Sequence, residues 1–171
     1  MPHNILNKKT RAQAALELAF SLPIILLLLI GMVEVVFVGR TYLALLDASV
    51  VGSRLGSKGT AFYDNSKIFT LTTQALTQEG YASSNLVDIL IVRADLVGGA
   101  TVNNYQVESM LSSGQPQTLT QQALLDKIDI GDPDTSVVGV EVLFDHQLLT
   151  GFSTFLPDPL LIRAYTLQII P

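Results

Sequence analysis

The densest polar constellation in the chain is DKIDIGDPDTS, which gathers Asp126, Asp129, Asp132 and Asp134. Carboxylates in a loop are the ligands a calcium ion takes, because a hard cation wants six to eight oxygens at about 2.3–2.6 Å. The spacing does not match an EF-hand, which needs acids at alternate positions, a central glycine and a bidentate glutamate at the end. A solvated acidic loop is therefore expected, with Asp129, Asp132 and Asp134 as a weak metal candidate only. The two histidines are His3 and His146. Asp145 precedes His146 on a predicted strand, where neighbours point to opposite faces and make no dyad. There is no cysteine, hence no thiolate zinc site and no thiol nucleophile. Neither a phosphate-binding glycine loop nor a nucleophile elbow occurs. A non-enzyme without a cofactor is expected.

Two further carboxylates matter for where they stand. From Leu18 to Val38 the chain reads LAFSLPIILLLLIGMVEVVFV, 21 residues in which Glu34 alone is ionisable. About 20 apolar residues at 1.5 Å rise span a hydrocarbon core of roughly 30 Å. Glu17 sits just before this run and Pro23 within it. An ionisable group in or beside a membrane helix is costly, and so its presence is a functional hypothesis by default. Residues 1–16 carry Lys8, Lys9 and Arg11 and no acid, which predicts a cytoplasmic N-terminus and an exported remainder. A cleaved secretory signal would need a shorter apolar run closed by a small-x-small site, and GMVEVVFVGR supplies none.

These side chains require a long helix to carry them. Leu43, Leu46 and Val50 continue the helical period beyond Arg40. Ala44, Ala48, Gly52 and Gly56 form a small-residue stripe at strict spacings of four, which lets another helix approach closely. Helix is expected from 13 to 57, with a span of about 18–38 and a stalk beyond. Residues 58–171 are expected to form an extracytoplasmic α+β domain. Its predicted elements are a helix over 67–79, capped by Asp64 or Ser66 and stopped by Gly80, and a strand over 86–96 with Val87, Ile89 and Ile91 on one face. A Gly98-Gly99 turn, a return strand over 104–111, a short helix over 119–127, and strands over 137–149 and 160–170 follow. The expected architecture is an antiparallel sheet covered by the stalk and the first helix. Residues 41–171 hold 13 acids and 6 bases, so the exported part is acidic and offers no basic stripe for nucleic acid.

The run RAQAALELAFSLPIILLLLIGMVEVVFVGR resembles the N-terminal segment of TadE-like proteins, minor pilins or pseudopilins of the tight-adherence (Flp-type) pilus. Arg11, Ala12, Glu17 and Pro23 match the family's basic residue, small residue, glutamate and proline, and Glu34 matches its second glutamate. Ala12 stands where the family usually has glycine, and Leu18 where it usually has an aromatic residue. The resemblance covers residues 8–58. It implies a basic leader over 1–12 removed between Ala12 and Gln13 by a prepilin peptidase. It also implies a non-catalytic protein of the cytoplasmic membrane, partnered by other pilins and the pilus secretion platform. Glu17, Pro23, Glu34 and the Ala44–Gly56 stripe would then serve assembly and helix packing. The alternative is a single-pass membrane-tethered binding domain without a filament role; a calcium-dependent adhesion module is a third reading.

Overall fold

A computed structural model of the protein describes residues 5–58, 64–98, 101–128, 134–149 and 159–170, with backbone alone for 5–12. Helix α1 runs from Ile5 to Gly56 without a break; its 52 residues reach about 78 Å. It begins eight residues before the expected start because Leu6, Lys8, Lys9, Arg11 and Ala12 are all good helix formers. Residues from Gln13 to Ile30 are exposed on every side, and Glu34 is the first buried one. One helix among the described residues is thus long and apolar enough to cross a membrane.

Beyond Glu34, α1 becomes one wall of a small α+β domain. Helix α2 (Asn65–Gln78) is capped by Asp64, whose carboxylate accepts from the Ser66 amide. It ends at Gly80, which takes φ +87°, a conformation open to glycine at no steric cost. A 3₁₀ turn (Ser83–Asn85) leads into β1 (Leu86–Val97), followed by β2 (Thr101–Ser109), α3 (Gln121–Lys127), β3 (Asp134–His146) and β4 (Leu160–Ile170). The four strands form one antiparallel sheet in the order β2-β1-β3-β4.

On one face, Leu45 and Ala48 of α1 and Ile68, Phe69 and Leu76 of α2 pack on Ile89, Ile91, Val138, Val140, Val142 and Phe144. Each fully buried large aliphatic side chain here contributes about 1.5–3 kcal/mol. The alternation Val138, Val140, Val142, Phe144 lies where the sequence predicts it. In β1 the expected trio is corrected: Leu86 joins Ile89 and Ile91, and Val87 does not. A register shift between Leu86 and Asp88 inserts one residue and inverts the parity at this end of the strand.

The opposite face of the sheet is also covered. Leu119 and Leu124, from α3 and the segment before it, close over Val92, Ala94, Leu96 and Val137. The polar partners of the β3 alternation do not all face water: Glu141 is fully buried. Strand β3 stops at His146, three residues before the expected end, and the chain turns toward α1 at Leu149.

The stripe Ala44, Ala48, Gly52, Gly56 permits close approach, but to the chain's own domain. Ala44 and Ala48 are buried. A Cβ at Gly52 would lie 2.5 Å from Thr72 Oγ1 and 3.2 Å from Val140, and one at Gly56 2.9 Å from Val138. Packing against a partner's helix through this stripe is corrected accordingly. The sheet and α2 occupy that side because the stripe lies on the same face of α1 as Leu45.

Candidate functional site

The residues singled out by sequence are strung along α1 rather than gathered into a pocket. Ala12 belongs to the helix, and its side chain is outside the described residues. The next residue, the exposed Gln13, donates from Nε2 to Oε1 of Glu17, one turn on, at 3.4 Å. Ser21 Oγ donates to the Glu17 carbonyl at 2.7 Å. Pro23 lies inside the helix and offers no N–H to the carbonyl four residues earlier. Apolar spans accommodate such a proline by local adjustment. Glu17 therefore projects from a lone helix, about 25 Å along the axis from Glu34.

Glu34 has a different setting. It is 5% exposed, held where the foot of the domain meets α1. The Leu149 amide donates to its Oε1 at 3.1 Å, and His146 Nε2 stands 3.9 Å from the same oxygen. The other ring nitrogen of His146 lies 3.0 Å from Thr41 Oγ1. Thr41 Oγ1 also reaches the Phe37 carbonyl at 3.1 Å. This chain of groups ties β3 and the turn after it to α1 where the all-round exposed helix ends. Sequence reasoning placed Glu34 in the span and dismissed His146 with Asp145. Nothing local joins Glu34 to partners more than 100 positions away.

The junction has a measurable consequence. Glu34→Ala removes the buried acceptor that holds the Leu149 amide and should cost about 2 kcal/mol of domain stability. Glu34→Gln keeps an oxygen for Leu149 and should recover most of it. Denaturant unfolding of the full chain in detergent micelles reads both variants; equal stability of Glu34→Ala and the parent protein would sink the assignment.

Two other buried carboxylates are also invisible to sequence patterning. Asp88 accepts from the hydroxyls of Ser109 and Ser113, both at 2.6 Å. It also accepts from the amides of Ile89, Leu111 and Ser113 at 2.8–3.1 Å. Burial by itself pushes this carboxyl up, yet the hydrogen bonds from Ser109, Ser113 and Leu111 outweigh it and hold the pKa below 3.8. Glu141 accepts from the Thr118 amide at 2.8 Å and the Thr118 hydroxyl at 2.6 Å, with Arg163 at 3.7 Å. Both carboxylates pin the strand-to-helix connection across the sheet, and every contact they make is structural.

Of the acidic loop, Asp129 and Asp132 lie outside the described residues. Asp134 opens β3 and accepts from the Gly98 amide at 3.4 Å, and Asp126 accepts from Gln122 at 3.1 Å. Among the described residues, no three metal-ligating side chains come together. No protein-family model, curated protein or solved structure matches the chain.

Proposed function

We propose that the chain is a TadE-like pseudopilin or minor pilin, a membrane-anchored, non-catalytic component of Flp-type pilus assembly. The observation that carries this reading is the arrangement of Arg11, Ala12, Glu17 and Pro23 on the free part of one uninterrupted helix. A plain anchor has no use for a carboxylate there. The residues between Gln13 and Val33, upstream of the junction with the domain, number 21 and measure about 31 Å. That length fits a hydrocarbon core of roughly 30 Å. In this reading Glu34 sits at the outer boundary of the membrane, sheltered by the domain rather than by lipid. Lys8, Lys9 and Arg11 keep the leader cytoplasmic, and the acidic domain stands outside.

Cleavage after Ala12 would expose an α-amine on Gln13, protonated at neutral pH. In a packed helical bundle that cation needs a counter-charge, and Glu17 of a neighbouring subunit supplies it. Glu17→Ala is expected to leave membrane insertion intact and abolish incorporation into pili, with Glu17→Asp partly active. The test is N-terminal sequencing of membrane-extracted protein together with a pilus assay of both variants. A terminus at Gln13 and loss of pili support the reading; an intact Met1 terminus with fully active Glu17→Ala overturns it.

A further inference from the structure

At the height of Glu34 the apolar surface of α1 passes onto the domain without a gap. At 100° per residue, Met32, Val33, Val35 and Val36 cover the helix sides away from Glu34, and all four are exposed. On the Glu34 side the cover is Leu149. Its amide donates to Glu34 Oε1, which sets it level with that carboxylate, and its side chain is 65% exposed. Phe37, about 4.5 Å further along the axis, is exposed beside it. Single exposed apolar residues are ordinary on a protein surface. These close a ring around the axis at one height.

What the ring hides is polar. Glu34 and His146 are 5% and 9% exposed, and His146 Nε2 finds no hydrogen bond among the described residues. Ionisable groups at the edge of hydrocarbon are costly unless sheltered, and here the shelter turns a leucine outward. Beside Leu149 opens a cleft of about 330 Å³, lined by Phe37, Tyr81, Phe144 and His146 as well. The Tyr81 ring stands edge-on to Phe144 at 5.6 Å. Rings with one apolar and one polar end suit the bilayer interface. Arg40 is exposed and makes no hydrogen bond or ion pair among the described residues. It stands about 9 Å beyond Glu34, and side chains on a helix lean toward its N-terminus. Its guanidinium therefore drops toward a headgroup layer roughly 5–7 Å thick, with its stem along the apolar ring.

We propose that the foot of the domain is itself a membrane-contact surface, with Leu149 and Phe37 seated at the acyl boundary of the outer leaflet and Arg40 on phospholipid phosphates; this rests on the membrane placement of α1 and needs no pilus. The occupant is the bilayer because the foot continues the surface of the only helix among the described residues that could span one. Contact through both α1 and the turn after β3 fixes the domain against the membrane instead of leaving it to swing on a stalk.

The protein has no tryptophan, so a single one reports its own surroundings. Three full-length variants carry it at comparably exposed sites: Met32→Trp, Leu149→Trp and Ile169→Trp, at 66%, 65% and 59% in the parent residues. Ile169 pairs with Val137, the neighbour of the Val138 that meets Gly56, about 33 Å beyond Glu34. Each variant is reconstituted in phosphatidylcholine vesicles brominated near the glycerol end of the acyl chains, with aqueous iodide as the opposing quencher. Leu149→Trp should lose fluorescence to bromine at least about twofold, as Met32→Trp does, because a lipid-facing foot lies roughly 5–10 Å into the boundary. Iodide should quench Ile169→Trp several times more strongly than Leu149→Trp, although the structure in water exposes the two alike. The substitution keeps the residue 149 amide on Glu34, so the unfolding midpoint should match the parent's. Should it fall, Phe37→Trp reads the same surface from α1 and decides in its place. Bromine quenching of Met32→Trp without that of the foot reporter overturns the proposal and leaves the anchor standing. A foot reporter shielded from iodide but untouched by bromine overturns it in favour of a protein partner. No bromine quenching of any variant overturns the membrane placement and the proposal together.

Discussion

Asp88→Ala should destabilise the domain by about 3–5 kcal/mol, because it removes a buried charged acceptor and strands the donors gathered around it. Five hydrogen bonds converge on this carboxylate, three of them from backbone amides. Donors from Ser109 to Ser113 lie at the last residue of β2 and just past it, so the variant should release the start of the long connection as well as weaken β1. Asp88→Asn keeps the size and one acceptor oxygen but points an amide donor at other donors, and should lose about half as much.

The pH dependence fixes the assignment. The folded pKa of Asp88 is held below 3.8, so in acid the unfolded chain takes up the proton first. Its contribution is therefore fully present above the unfolded value of about 3.9 and is lost as pH falls through the folded value. Asp95, lowered by the Ser136 hydroxyl and the Asn104 amide, adds to the loss in the same direction. Denaturant midpoints of the full chain in micelles should show the gap between the parent protein and Asp88→Asn constant near neutrality and shrinking below about pH 4. A gap independent of pH would mean that Asp88 acts through its shape alone.

Local signals were legible where the cause is local. Asp64 as cap and Gly80 as stop bound α2 because both act on the helix they flank. The alternating valines of β3 and the turn at Gly98 follow from the pleat and from backbone sterics. The parity of β1 at Leu86 was not legible, since a bulge inserts one residue without a composition signal. The second covered face was not legible either. Glu141 reads as a solvent-facing strand residue until Thr118 is brought over it from 23 positions away. Glu34 is the clearest case: its type and place mark it as unusual, while its partners come from the far end of β3.

Gly52→Leu is where reading the small-residue stripe from sequence and reading it from structure lead to opposite results. As a seam between subunits, the substitution would weaken association and leave each monomer intact. In the structure, Gly52 is packed beneath buried Thr72, whose hydroxyl donates to the Ile68 carbonyl at 2.8 Å, and beside Val140. Even a methyl group would lie 2.5 Å from Thr72 Oγ1, and the β3 valine behind it cannot retreat without moving the sheet. Gly52→Ala gains about 1 kcal/mol of helix propensity but should still be net destabilising. Gly52→Leu should cost about 3 kcal/mol or more, the upper range of overpacking. Removing the obstructing hydroxyl separates this cause from a general intolerance of the helix. In a double-mutant cycle, Thr72→Ala should relieve much of the Gly52→Ala penalty, with a favourable coupling of about 1 kcal/mol. If Gly52→Leu leaves the unfolding midpoint unchanged, the packing of the domain on this side of α1 is wrong.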